Sequence, residues 1–179
     1  MKYFLLLCFL GVVLQAQGAT YYVDAINGND AATGLSEKQA WKTLARVNAQ
    51  VFRAGDKLLF RAGRIFEGKL KLQGSGTAAQ PITVDKYGEG YKPRIQGNGI
   101  MPATLHLYNV EYWEIRHLDI SNTGQERQSG RNGVLVQARD TGTLHHIILS
   151  ELDVHDVNGS LLKAGGAGAG IMVQAGDVM

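Results

Sequence analysis

The chain is almost without cysteine. Its one cysteine, Cys8, lies inside an apolar run at the amino terminus, so the sequence beyond that run carries no thiol. Disulfides and thiolate chemistry are thereby excluded beyond it, and stability must come from core burial and backbone pairing. Proline is scarce, at 3 of 179 residues, and charged residues make up only 19% against 45% hydrophobic ones. That balance excludes a disordered or collagen-like chain and fits one packed domain or part of one. The formal net charge of +2 is too weak to argue for nucleic acid or a membrane surface. The apolar run from Tyr3 to Leu14 spans 12 residues, short of the roughly 20 that cross a bilayer. Glycine, by contrast, is abundant, with 23 residues. An interior glycine costs a helix roughly 1 kcal/mol, so long helices are not the main building material.

The amino-terminal segment has the form of an export signal. Lys2 gives a short positive start, the apolar run follows, and Ala16-Gln17-Gly18 is a small-x-small cleavage site. The expectation is a signal peptide over 1–18 and a secreted, periplasmic or cell-surface protein. Cys8 sits within the apolar run rather than after it, which argues against lipidation.

Beyond it, Thr20 to Asp24 reads as a strand, and the Gly/Asn/Asp-rich stretch that follows as a loop. Ser36 and Gln39 have capping-box spacing, and Trp41, Leu44, Val47 and Val51 fall on one side of a helix expected over Glu37–Val51. From Lys57 onward, short apolar-alternating segments recur about every ten residues between glycines, which indicates an all-β fold. Residues 133–140 (GVLVQARD) and 170–177 (GIMVQAGD) match at an offset of 37. Residues 115–120 (IRHLDI) echo 149–154 (LSELDV) at an offset of 34. Strand repeats of this period point to a solenoid or a propeller. Each strand here leads into a bend or a long loop, which favours a right-handed parallel β-helix with aliphatic side chains stacked inward. Ile115, Leu118 and Ile120 then stack under Leu149, Leu152 and Val154. Asp119 falls beneath Asp153, Ser121 beneath His155 and Asn122 beneath Asp156.

The segments TYYVDAINGNDAATGLSEKQAWKTLARVN, AGDKLLFRAG and PITVDKYGEGYKPRIQGNG come in an order that resembles secreted bacterial right-handed parallel β-helix proteins of the pectate-lyase-like superfamily. The resemblance covers nearly everything after the leader. It implies a β-helix over 19–179 capped by the amphipathic Glu37–Val51 helix, and a polysaccharide as substrate or ligand. It does not fix the reaction, because the superfamily holds lyases, hydrolases, epimerases and adhesins. The chain stops one strand into a repeat, so the expectation is the amino-terminal part of a longer protein, truncated at its carboxyl end.

Several residue sets are candidates for chemistry. Asp153 and His155 alternate with Val154 and share an outer face, with Asp156 and Lys163 close in sequence. Two acids and a histidine suit β-elimination from a uronate, where Ca²⁺ would neutralise the carboxylate and a base take the proton. Asp153 and Asp156 read more simply as a solvated repeat position and a corner residue like Asn122. Asp24, Asn27, Asn29 and Asp30 form an oxygen-rich loop that could hold Ca²⁺ but reads more simply as a turn. Lys69 and Lys71 share an outer face near Arg61 and Arg64, either as a track for an acidic polysaccharide or as protection of a strand edge. The histidines His106, His117, His145, His146 and His155 lack zinc spacing. Gly165–Gly170 lacks the context of a phosphate loop and reads as a mobile corner. Tyr108, Tyr112 and Trp113 are possible sugar platforms, Trp113 equally a core residue. The function these features favour is a polysaccharide lyase acting on uronate, with a glycoside hydrolase of the same fold, or a non-catalytic carbohydrate-binding scaffold, as alternatives. No catalytic residue, sugar or metal is assigned.

Overall fold

A computed structural model describes residues 17–162 and 166–176. Most of the expected signal peptide, including Cys8, lies outside these residues, as does Lys163. Among the described residues no helix is long and apolar enough to cross a membrane.

The chain winds as a right-handed parallel β-helix. Strand β1 (Thr20–Val23) comes first, then a 3-10 turn (Glu37–Gln39) and a short helix α1 (Leu44–Asn48). The first full coil holds β2 (Lys57–Arg61), β3 (Ile65–Glu67) and β4 (Leu70–Leu72). The second holds β5 (Ile82–Tyr87), β6 (Arg94–Gln96) and β7 (Ala103–Tyr108). The third holds β8 (Trp113–Arg116), β9 (Asp119–Asn122) and β10 (Asn132–Arg139). The fourth holds β11 (Ile147–Ser150), β12 (Asp153–Val157) and β13 (Ile171–Gly176). Each coil gives one strand to each of three parallel sheets, ordered β1-β2-β5-β8-β11, β3-β6-β9-β12 and β4-β7-β10-β13.

Register follows the repeat. Val134 pairs with Ile171 and Gln137 with Gln174, the offset of 37. Ile115 pairs with Leu149, Asp119 with Asp153, Ile120 with Val154 and Ser121 with His155, the offset of 34. The expected Asn122–Asp156 rung does not form. Asp156 adopts φ 50 and the ladder slips there, so Asn122 faces Val157. A left-handed residue within a strand bends it and re-aims its side chain.

Columns of aliphatics fill the interior. Leu58, Val84 and Ile115 stack on one wall, Ile95 and Ile120 on the second, and Leu70, Leu105 and Val134 on the third, each fully buried. Leu118 is buried too, and Leu149, Leu152 and Val154 pack against the same core. Each such side chain removed from water contributes roughly 1.5–3 kcal/mol. Asn122 is the polar exception. Completely buried, it accepts from the Gly99 N–H and donates to the carbonyls of Ile100 and Asn132, so two backbone groups of the β6–β7 corner and one at the start of β10 are satisfied at once.

The expected helix over Glu37–Val51 is much shorter. Ser36 makes no side-chain cap, and the continuous helix is limited to α1, capped by Thr43 accepting from Arg46 N–H at 3.2 Å. Trp41 explains the break. Its backbone bridges to Val23, accepting from Asp24 N–H and donating to Tyr22 carbonyl, so residue 41 must be extended. Its indole stacks on Tyr21 at 4.9 Å and is fully buried. Leu44 and Val47 of α1 still cover the apolar end of the first coil. Asn48 seals the adjacent edge: its amide donates to the Lys69 carbonyl and accepts from Lys71 N–H, both at 2.8 Å, as another strand would.

Replacing one column residue by alanine leaves a cavity the stacked coils cannot close. Ile120→Ala is expected to cost about 2–5 kcal/mol in urea unfolding, and Lys71→Ala, on an exposed face, less than about 0.5 kcal/mol. Equal losses would contradict the column.

Candidate functional site

The outer face of the β3-β6-β9-β12 sheet carries a polar constellation beside an open depression. Alternation puts it there. Phe66, Ile95, Ile120 and Val154 point into the core, so their neighbours point out. Register then lines up Ile65, Arg94, Asp119 and Asp153 across four successive strands. Together with Tyr91 and Lys92 from the β5–β6 corner, they line an open depression of about 290 Å³.

Opposite charges alternate along it. The Arg94 guanidinium donates through Nε (3.1 Å) and Nη2 (2.9 Å) to Asp119 Oδ2. The other oxygen of Asp119 lies 2.8 Å from His155 Nε2, and His155 Nδ1 lies 2.9 Å from Asp156 Oδ2. Held by Asp156 and then Asp119, the imidazole has its pKa raised above the ordinary histidine value. Lys92 Nζ pairs with Asp153 Oδ1 at 2.8 Å. Arg64, at the rim, pairs with Asp24 at 3.1 Å.

The structure therefore joins His155 to Asp156, as the sequence allows, but gives Asp153 to Lys92. Asp119 proves to be the hub, and Arg94, Lys92 and Tyr91 were not singled out. The 34-residue echo was the signal for Asp119. The other three come from the coil before, where the sequence echo is lost.

The remaining candidates fall elsewhere. Asp24 accepts from the N–H groups of Ile26 and Asn27, from Asn27 Nδ2 and from Arg64. Burial pushes its pKa up, but these donors outweigh burial and hold it below the usual carboxylate range. Asp30 likewise accepts from Lys42 N–H, Thr43 N–H and the Thr43 hydroxyl. Asn29 Oδ1 caps Ala31 N–H. The loop is thus tied together by its own donors, and among the described residues no three His, Cys, Asp or Glu side chains converge as metal ligands. Arg61 pairs with Glu37, so neither arginine is paired near Lys69 and Lys71, which lie just before and within the edge strand β4. Trp113 is core, fully buried, with its indole N–H on the Gly74 carbonyl. Tyr112 stacks on His145 and His146, while Tyr108 is partly exposed beside His106. Burial lowers the pKa of His106, which favours the neutral ring. The glycine corner packs closely: a Cβ on Gly168 would lie 2.2 Å from the Arg131 carbonyl oxygen. Gly165 is outside the described residues.

Three other histidines bridge successive coils. His117 sits between Asp85 (2.7 Å) and Glu151 (2.9 Å), His145 meets Glu111 (3.1 Å), and His146 meets Glu114 (2.9 Å). With His155–Asp119, four histidines join the third coil to the fourth.

Chemically, the depression offers fixed donors and acceptors rather than a free acid. Glycoside hydrolysis needs two carboxyl groups, one of them protonated. Asp119 and Asp153 stand on neighbouring strands, about 4.8 Å apart, but each is paired with a cation.

No family model matches the chain. A lacto-N-biosidase of Bifidobacterium longum subsp. longum is 28% identical over 212 residues, which cover 89% of this chain and 13% of that protein. Two crystal structures of GH136 lacto-N-biosidase from Eubacterium ramulus share the fold. The selenomethionine derivative has a TM-score of 0.77 and 35% identity, and the native protein 0.78 and 33%, each over 88% of this chain and 30% of theirs. The chain thus spans less than a third of the relatives it matches. These relatives are glycoside hydrolases. That overturns the uronate lyase reading, and with it the role for Ca²⁺ and the acid–histidine set in β-elimination. The hydrolase alternative is the one the relatives favour.

The His155 pair sets a pH dependence. Its folded pKa is raised above the unfolded value of about 6.5, so its contribution to stability is complete below about pH 6 and is lost as pH rises through the folded pKa. Melting curves from about pH 5 to 9 should show Tm falling more steeply in the wild type than in His155→Gln above about pH 6.5. Parallel profiles would contradict the pairing.

Proposed function

We propose that this chain is a β-helix section of a glycoside hydrolase, and that the depression over β6, β9 and β12 contacts its carbohydrate. The likeness to the lacto-N-biosidases carries the reading, because sequence and backbone agree over nearly the whole β-helix. The depression adds to it: ion-paired Arg94, Asp119, Lys92 and Asp153 present rigid hydrogen-bonding groups of the kind hydroxyl-rich ligands use. A lacto-N-bioside is the substrate the relatives' activity points to. On this reading the leader over 1–18 directs export, and the acid pair of hydrolysis is separate from Asp119 and Asp153.

The test is an incubation of protein carrying this chain with a chromogenic lacto-N-bioside and, separately, with pectate and alginate. Release of the chromophore with new reducing ends, and no unsaturated ultraviolet-absorbing product from any substrate, is expected. Binding of the bioside without release would instead make the protein a non-catalytic carbohydrate binder.

A further inference from the structure

Tyr91 is out of keeping with the rest of the fold. It is 91% exposed, while Tyr21 and Trp41 stack on each other at 4.9 Å and Trp41 is fully buried. Yet its backbone is held firmly. Gly88 and Gly90 take φ values of 72 and 123, which turn the corner sharply. The Gly90 carbonyl accepts from Lys86 Nζ, the Tyr91 carbonyl accepts from Gly63 N–H at 2.8 Å, and Pro93 follows two residues later. A ring projected into water from an anchored loop is already ordered for a ligand, so little backbone freedom is lost when one binds.

The surroundings define the ligand's chemistry. Ile65, 53% exposed, adds apolar surface beside the ring. Gly63 takes φ 71 and nothing lies within 4 Å of the position of a Cβ there, so that wall is open. Each cation lining the depression already has a carboxylate: Lys92 has Asp153, Arg94 has Asp119, and Arg64 has Asp24. No uncompensated positive charge awaits an anion. What is left is an aromatic face beside solvent-accessible N–H donors and carboxylate acceptors. A pyranose matches both: one face of its ring is C–H, and its rim is hydroxyl.

We propose that the depression is a subsite for one uncharged pyranose ring, stacked on Tyr91 and hydrogen-bonded by the Arg94–Asp119 and Lys92–Asp153 pairs. The inference rests on the carbohydrate part of the reading above and is independent of whether a bond is cleaved.

The experiment is titration calorimetry on the full chain with lacto-N-biose, an uncharged disaccharide, and with galacturonate as an acidic comparison. Lacto-N-biose should bind and its affinity should be insensitive to added salt. Tyr91→Ala should weaken binding about three- to tenfold, and Tyr91→Phe, which keeps the ring, should leave it within about twofold. Equal affinity in Tyr91→Ala and wild type would overturn the stacking. Tighter, salt-sensitive binding of galacturonate would overturn the uncharged class. Absence of binding by a protein that still hydrolyses a lacto-N-bioside would overturn the subsite alone. Binding without hydrolysis would leave it standing and remove the hydrolase.

Discussion

A parallel strand in a solenoid has no hairpin partner; its N–H and C=O groups are met by the coils on either side. That ladder holds only while residues of like parity stay in register, because a slip of one residue turns every core side chain outward. The columns built on Leu58, Ile95 and Leu70 are the visible result. Everything on the outer surface follows from the same rule. Once Ile95, Ile120 and Val154 are committed inward, Arg94, Asp119 and Asp153 have no choice but to meet on the outside.

This is why the fold could be read from the chain and the site only in part. The 34- and 37-residue echoes carry register directly, and Asp119 under Asp153 follows from counting. Arg94 and Lys92 belong to a coil with no recognisable echo, since its corners differ in length from those of the later coils. Their partners lie 25 and 61 residues away, and no local pattern announces such a pair. The bulge at Asp156 was hidden for a different reason. A single left-handed residue shifts one rung without changing the apolar pattern on either side. The expected long helix failed because burial of Trp41 and its bridge to Val23 outweighed a helical pattern in the sequence.

Reading chemistry from Asp153-Val154-His155-Asp156 shows the same limit. Two acids and a histidine on one strand are compatible with elimination, with hydrolysis and with plain salt bridging. Partners decide among these. Asp156 and Asp119 on the two ring nitrogens favour the protonated form of His155, and Lys92 occupies Asp153. Sheet topology does not discriminate the two classes of reaction; the likeness to hydrolases favours one of them.

The amide of Asn48 has an effect beyond its own coil. By occupying the Lys69 carbonyl and the Lys71 N–H, it leaves that flank with less to offer a foreign backbone. A solenoid is in principle a seed for endless fibre growth. Here one side chain meets two backbone groups on the first rung of that wall, which makes the rung a poorer template for a foreign strand.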